Sequence, residues 1–473
     1  MQKKPKPFIH LFETPLGFYF YDVNTNDIVE VNKEMYEYLR NDYIAGEEIN
    51  QEDLKNLKAR GYLKTKRVEK TEHPATELLP FYAKTKMGQL ILQVTQNCNL
   101  RCEYCVYSGN YETRGHTNKK MGFQTAKKAI DFLAEHSKNR NEVIIGFYGG
   151  EPLLEFSLMK QCVEYAEERL KGKKIEYSIT TNATLLTDDV IKYFITNDFL
   201  VTVSLDGPRE IQDECRKFLN DKGSFDTVMK NLKRIKERDR EYFDRNVRVN
   251  TVLVVERGYE CVDHFFKGNE IFSNLAISSA AVSDNFSKNK RSVSEKFHIE
   301  QQYELFKTFL AELGYLPSED ASLLMRPYLE QIYDMQGNSE RSYREEVPST
   351  WHRGGPCISG AMRLFVTAEG KLFPCERVCE ISEYAQIGTL EEGLDLKKMS
   401  DILNIEKLTE KECRNCWAYS ECNSCIRFCN GNRQEMKNAL LSKCSEIRRS
   451  IEGILKDFTI LQELGYDFEA EGR

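Results

Sequence analysis

Between residues 88 and 282, apolar runs of strand length alternate with amphipathic stretches of helical period. The runs are "QLILQVTQ", "VIIGFYGG", "IEYSITTN", "FLVTVSLDG", "VRVNTVLVVE" and "LAISSAAV"; helical spacing fits "TAKKAIDFLAEHS", "SLMKQCVEYAEERL", "TDDVIKYFITN" and "SFDTVMKNLKRIKER". This alternation predicts an α/β fold with a parallel sheet covered on its faces. Six units are too few to close an eight-stranded barrel, so an open, partial (β/α)6 barrel over 88–282 is expected, its chemistry at the strand carboxyl ends.

Before this zone, "FIHLFE", "FYFYDV" and "DIVEV" read as short strands separated by the turn signals "TPLG" and "NTND". Helical patterns follow at 32–41 and 51–60, ending at Gly61, and the charged, turn-prone "KTKRVEKTEHPATELLP" reads as a linker. This gives a small first domain over 1–75. After the barrel zone come a helical stretch at 283–350, a cysteine-rich zone at 351–450 and a helical end at 451–473.

The 473 residues allow about three domains on the usual size range. A net charge of -7 argues against nucleic acid or an anionic membrane as the main partner, since both reward clustered positive charge. The start "MQKKPKP" has no apolar segment behind it, and no apolar run reaches the ~18 residues that span a bilayer. A cytoplasmic protein is expected. Its fifteen cysteines then read as metal ligands or buried thiols rather than a disulfide framework.

The chemistry concentrates in "TQNCNLRCEYCVY", which sets Cys98, Cys102 and Cys105 in C-x3-C-x2-C spacing directly after the first barrel strand. Such a loop suits a soft metal centre. Structural zinc is normally closed by four donors, and no fourth follows here, His116 lying eleven residues on. The other unusual motifs also fall at strand ends: "GGEP" (149–152) after the second strand, "TTN" (180–182) after the third and "SLDG" (204–207) after the fourth. A second field holds Cys357, then Gly370 and Cys375 in C-x12-G-x4-C spacing, Cys379, and "CRNCWAYSECNSCIRFC" with Cys413, Cys416, Cys422, Cys425 and Cys429; Cys444 stands apart. Two cubane clusters take up to eight thiolates from separated segments, while C-x2-C pairs also suit zinc ribbons. Cys162, Cys215 and Cys261 fall in or beside core elements and read as structural.

On these motifs the chain resembles the radical S-adenosylmethionine (SAM) enzymes. The resemblance implies a 4Fe-4S cluster on Cys98, Cys102 and Cys105, with the open iron chelated by the amino and carboxylate groups of SAM. It puts Tyr104 near the adenine, Gly149, Gly150, Glu151 and Pro152 at the methionine amino group, and Arg216 at its carboxylate; Asn182, Ser204 and Asp206 are further cofactor contacts. The family often shows His-Asp where this chain has Gln212 and Asp213.

The second field resembles the SPASM extension, whose pattern it follows through Cys422 and leaves at Ile426. The resemblance implies two auxiliary 4Fe-4S clusters, three in all. Cys413, Cys416, Cys422 and Cys444 hold the outer one; Cys357, Cys375 and either Cys425 or Cys429 hold the inner one, whose fourth position is Cys379 or an open iron. The first domain is similar to the winged-helix, PqqD-like fold that holds leader peptides, with 27–31 as the exposed edge. Together these imply a maturase of a ribosomally made precursor peptide. Reduction of the first cluster by a low-potential donor, such as flavodoxin or ferredoxin, cleaves SAM to a radical that abstracts a C-H hydrogen. Thioether formation ranks first; other crosslinking, epimerisation and sulfatase-type oxidation of Cys or Ser to an aldehyde are alternatives.

Overall fold

A computed structural model describes residues 6–41, 51–112, 115–341 and 344–468. The basic start and the last residues of the expected C-terminal helix lie outside the described residues. The described residues form seventeen strands, numbered here in chain order. An N-terminal sheet holds β1 Ile9–Glu13, β2 Phe18–Asp22 and β3 Asp27–Val31. Then come β4 Lys70–Thr71, β5 Gln89–Thr95, β6 Leu100–Cys102, β7 Glu142–Gly149, β8 Lys174–Thr181, β9 Leu200–Ser204, β10 Arg216–Phe218, β11 Val247–Leu253 and β12 Ala276–Ala281. The C-terminal part adds β13 Thr350–Trp351, β14 Arg363–Val366, β15 Lys371–Phe373, β16 Gly388–Thr389 and β17 Gly393–Leu394.

The central sheet has the order β12-β11-β9-β8-β7-β5-β14-β15-β16-β17. Its first six strands are parallel and follow chain order without a reversal, the winding of a barrel rather than of a doubly wound sheet. The sheet stays open, since β12 and β17 are its two edges. The six barrel strands lie where their apolar runs predict. Leu90, Leu92, Val94, Val143, Ile145, Phe147, Val201 and Val203 are buried, and helices Phe123–His136 and Phe156–Arg169 cover them with Ala126, Ile130, Leu133, Met159 and Val163.

Beyond the sequence reading, β14 joins this sheet parallel to β5. "RLFV" is a short apolar run followed by a turn and "KLF", enough for a hairpin, but only the tertiary fold decides that it extends the barrel sheet. The consequence is that one sheet carries both cysteine fields: β5 leads into Cys98, and β14 and β15 lead into Cys375.

The first domain is closely docked. Its sheet has β2 in the middle and β1 and β3 at the edges. Phe8, Phe12, Tyr19 and Tyr21 share a buried cluster with Tyr419, Ile451 and Leu455, and His10 stacks on Trp417 with ring centroids 3.6 Å apart. The stretch read as a linker is anchored too: β4 pairs with β13, and Val68 and Thr71 are buried. Charge frequency hid this alternation of buried and exposed side chains. Helices Glu295–Glu312 and Arg326–Arg341 fill the 283–350 zone, where Phe309, Leu329 and Ile332 pack on Ile454, Phe458 and Leu461. Those three belong to one continuous helix, Arg433–Glu463, so the helical end assigned to 451–473 begins eighteen residues earlier.

Candidate functional site

The Cys98–Cys105 loop leaves β5 at its carboxyl end and is pinned on both sides. Asn97 Oδ1 accepts from the Cys98 amide at 2.9 Å. Across the loop β6 pairs antiparallel with β10, setting Cys102 opposite Arg216. Donors point at the sulfurs: the Leu100 amide at Cys98 Sγ (3.4 Å), the Tyr107 amide at Cys105 Sγ (3.4 Å), Asn182 Nδ2 at Cys98 Sγ (3.7 Å) and Arg216 Nη1 at Cys102 Sγ (4.0 Å). Amide, carboxamide and guanidinium donors are what a thiolate needs, and bare buried thiols resist becoming thiolates. Burial pushes Cys98 up to about 12, with Cys102 and Cys105 near enough to add to the shift. Cys102 goes up to about 11, again through burial, against the pull of Arg216. A bound cationic centre reverses that balance, because a coordinating thiol is deprotonated outright. Among the described residues no three Cys, His, Asp or Glu side chains converge on one ion-sized point. The fit to a cluster therefore rests on donor chemistry and on the mutual proximity of the thiols.

Behind the loop lies a buried charge cluster. Asp206, with 0% of its surface exposed, accepts from Arg216 Nε (2.8 Å) and Nη2 (3.0 Å), from the Val252 amide (3.0 Å) and from the Tyr104 hydroxyl. Arg216 is 7% exposed. Its guanidinium lies 5.4 Å from the Tyr104 ring centroid. Burial opposes the Arg216 charge, but Asp206, Tyr104 and Cys102 outweigh it and hold the guanidinium firmly ionised. Asp206, expected as a cofactor contact, accepts from four protein donors and aims Arg216 and Tyr104. Gln212 extends the support by donating to Ser224 Oγ (3.0 Å) and accepting from the Asp206 amide (2.9 Å).

The "GGEP" turn packs against the backbone of the cysteine loop. A Cβ on Gly149, whose φ is +139°, would come within 2.0 Å of Thr95 O, and one on Gly150 within 2.0 Å of Asn97 O. These glycines admit the neighbouring backbone of the cysteine loop. Glu151 is fully buried and accepts from Thr181 Oγ1 (2.7 Å), the Asn182 amide (2.8 Å) and the Leu153 amide (3.1 Å). It straps the ends of β7 and β8 together, and burial raises its pKa to about 7. Pro152 opens the short helical turn Pro152–Glu155. Asn182 is the residue of this group that reaches the cysteine loop, bonding Asn99 Oδ1 at 2.9 Å. Ser204 ends β9, opposite Asn250 of β11, and is 9% exposed.

One polar network was not foreseen. Gln93, buried within β5, donates to Tyr107 Oη (2.8 Å) and to Glu380 Oε1 (2.9 Å), and Gln96 Nε2 lies 3.4 Å from Glu380 Oε2. This ties the first cysteine loop to the residue after Cys379. The available sign was a glutamine inside an otherwise apolar strand, since a buried carboxamide requires partners.

The second field sorts into two sets. Burial raises the pKa values of Cys413, Cys422 and Cys444, and neighbouring thiols add to it: Cys416, Cys422 and Cys444 at Cys413, Cys416 and Cys444 at Cys422, and Cys416 at Cys444. Thr409 Oγ1 is 3.2 Å from Cys413 Sγ. Cys357, Cys375 and Cys425 line a single cavity of about 860 Å³. Cys429 and Cys379 are buried outside that lining, and Cys429 Sγ points at the Met436 carbonyl (3.9 Å). Cys425, and not Cys429, thus shares a cavity with Cys357 and Cys375. Cys162 and Cys215 are buried as expected. Cys261, read as a structural thiol in or beside a core element, is exposed: it occupies the solvent side of helix Glu260–Lys267, while Val262, Asp263 and Phe266 face inward.

The sequence profile of the radical SAM superfamily matches residues 92–267. An uncharacterized protein of Methanocaldococcus jannaschii is 32% identical over 253 residues, covering 53% of this chain and 80% of that protein. A cysteine-type anaerobic sulfatase-maturating enzyme of Clostridium novyi is 26% identical over 360 residues, covering 72% and 88%. In fold, the chain is similar to native anSMEcpe with bound AdoMet, at a TM-score of 0.58 and 19% identity, covering 79% of this chain and 99% of that one. No described helix is long and apolar enough to cross a membrane.

Proposed function

The chain belongs to the radical SAM superfamily, and on that premise we propose that this enzyme modifies a ribosomally made precursor peptide, joining a peptide cysteine sulfur to a carbon of another residue as a thioether. The observation that carries the reading is the continuous sheet on which β5 and β14 are neighbours: β5 leads at its carboxyl end into Cys98, and β15, antiparallel to β14, leads into Cys375 beside Gln89 and Arg363, so one sheet supports both the first cysteine loop and the start of the second field. In it, Cys98, Cys102 and Cys105 hold the SAM-binding cluster; Cys413, Cys416, Cys422 and Cys444 hold the outer auxiliary cluster; and Cys357, Cys375 and Cys425 hold the inner one. When bound, the first cluster and SAM supply a carbon radical able to take hydrogen from an unactivated C-H bond. The chain's own side chains orient and shield. Arg216, aimed by Asp206, presents Nη1 beside Cys102, where a carboxylate of SAM is met by a fixed positive charge. Asn182 donates toward Cys98, and the half-buried Tyr104 sets its ring beside the Arg216 guanidinium. The edge strand β3 offers unpaired backbone groups to an extended leader segment, the usual mode of strand addition.

A second reading, sulfatase-type oxidation of a Cys or Ser to an aldehyde, is favoured by the similarity to the Clostridium novyi protein, which is named a cysteine-type anaerobic sulfatase-maturating enzyme. Removing residues 1–75 would strip Val68 and the β4–β13 pairing from the shared core, so the cleaner experiment truncates the peptide. Cluster-loaded enzyme is incubated anaerobically with short Cys-rich precursors, with and without their leaders, and read by mass spectrometry. Loss of two hydrogens per bond, dependent on the leader, is the expected result. Conversion of a thiol to an aldehyde regardless of the leader supports the second reading instead.

A further inference from the structure

We infer that the cavity beside Cys357, Cys375 and Cys425 captures a carboxylate side chain of the peptide substrate; this rests on the peptide-maturase reading above. At about 860 Å³ the cavity is far larger than a compact eight-atom cubane needs and lies in the range that holds a substrate segment. Its lining is rich in cations. Arg363 and Arg377 share one carboxylate, Glu376, at 3.3 and 3.9 Å. Arg344 bonds the carbonyls of Val23 and Asn24 (2.9 and 3.2 Å), with Glu421 nearby. Arg427 has no ion pair among those described, and its guanidinium carbon stands 4.6 Å from the Phe428 ring centroid.

The lining also carries polar atoms that nothing satisfies. Ser359, 1% exposed, has a buried Oγ without a hydrogen-bond partner, and the same holds for Trp351 Nε1 and Arg427 Nε. All three can donate. Buried donors left open are costly, so a wall of guanidinium, indole and hydroxyl donors is suited to an acceptor-rich, anionic group. A cluster on the three thiols would claim part of this positive surplus. The rest lies along the path a substrate takes, because Asn26, in the turn directly before β3, also lines the cavity. A peptide whose leader pairs along β3 therefore leads into the arginine-lined space, and the acidic residue it places there fixes which neighbouring cysteine meets the inner set.

The test uses the full-length, cluster-loaded protein and two probes that share a thiol, acetyl-Asp-Cys-Gly-amide and acetyl-Asn-Cys-Gly-amide, titrated anaerobically by calorimetry. The Asp probe is expected to bind at least about tenfold more tightly, the worth of one charge-assisted hydrogen bond. Arg427→Gln together with Arg377→Gln should abolish that preference, whereas Arg427→Lys should retain part of it. Equal affinities, a preference that survives the double substitution, or no binding of either probe at millimolar concentration overturns the inference. These titrations need neither leader nor turnover, so their failure is distinct from that of the leader-dependence experiment.

Discussion

Asp206→Asn isolates the charge cluster behind the cysteine loop. The substitution keeps the shape of the side chain and an oxygen for the Val252 amide, but it puts an NH2 where Tyr104 and Arg216 Nε donate and removes the charge opposite Arg216. With Asp206 at 0% and Arg216 at 7% exposure, little solvent screens the loss. Removing one partner of a buried, hydrogen-bonded pair costs about 3–5 kcal/mol, mainly because the other charge is left unpaired. The assay is urea unfolding of the purified chain followed by far-UV circular dichroism, with SAM affinity measured separately on cluster-loaded protein. The single variant should show a markedly lower unfolding midpoint and weaker SAM binding, since Arg216 is no longer aimed. The double variant Asp206→Asn, Arg216→Met should recover most of the stability, because no buried charge remains alone, while SAM binding stays weak. A single variant as stable as wild type, or a double variant no better than the single, refutes the reasoning.

Gly150→Ala drives a Cβ to 2.0 Å from the backbone oxygen of Asn97, which cannot rotate away, so a loss of roughly 1–3 kcal/mol or more is expected. Iron analysis should show occupancy falling at the first site while the auxiliary content holds. Replacing Cys425 by Ala should remove the inner cluster's iron and sulfide, whereas Cys429→Ala should leave both in place; the reverse would reassign the ligand. Glu151 gives a pH signature. Its folded pKa of about 7 lies above the ordinary glutamate value of 4.5, so the folded state holds the proton more tightly. That contribution is therefore full at low pH and lost as pH rises from the unfolded pKa through the folded one, by up to about 3 kcal/mol. Unfolding midpoints of cluster-free protein should decline over this window, and Glu151→Gln should flatten that decline.

The barrel strands and the first cysteine loop were legible because their signals are local. A continuous apolar run fixes a buried strand whatever its neighbours, and C-x3-C-x2-C spacing requires no partner to be read. The docking of the first domain, the β4–β13 pairing in the charged stretch and the addition of β14 to the barrel sheet depend on contacts between residues hundreds of positions apart. Side-chain roles divide in the same way. Glycine and carboxylate in "GGEP" mark a strand end in the sequence, but whether Glu151 faces a ligand or Asn182 depends on where β8 lies. The pairing of Asp206 with Arg216 likewise depends on the tertiary fold, which sets β10 against β6. The sequence by itself determined which thiols exist in which spacing, hence the soft-metal chemistry and the α/β scaffold. The tertiary structure alone decided which thiols stand together and which buried charges hold them. Burial and pairing are properties of three-dimensional neighbours, and no spacing along the chain encodes them.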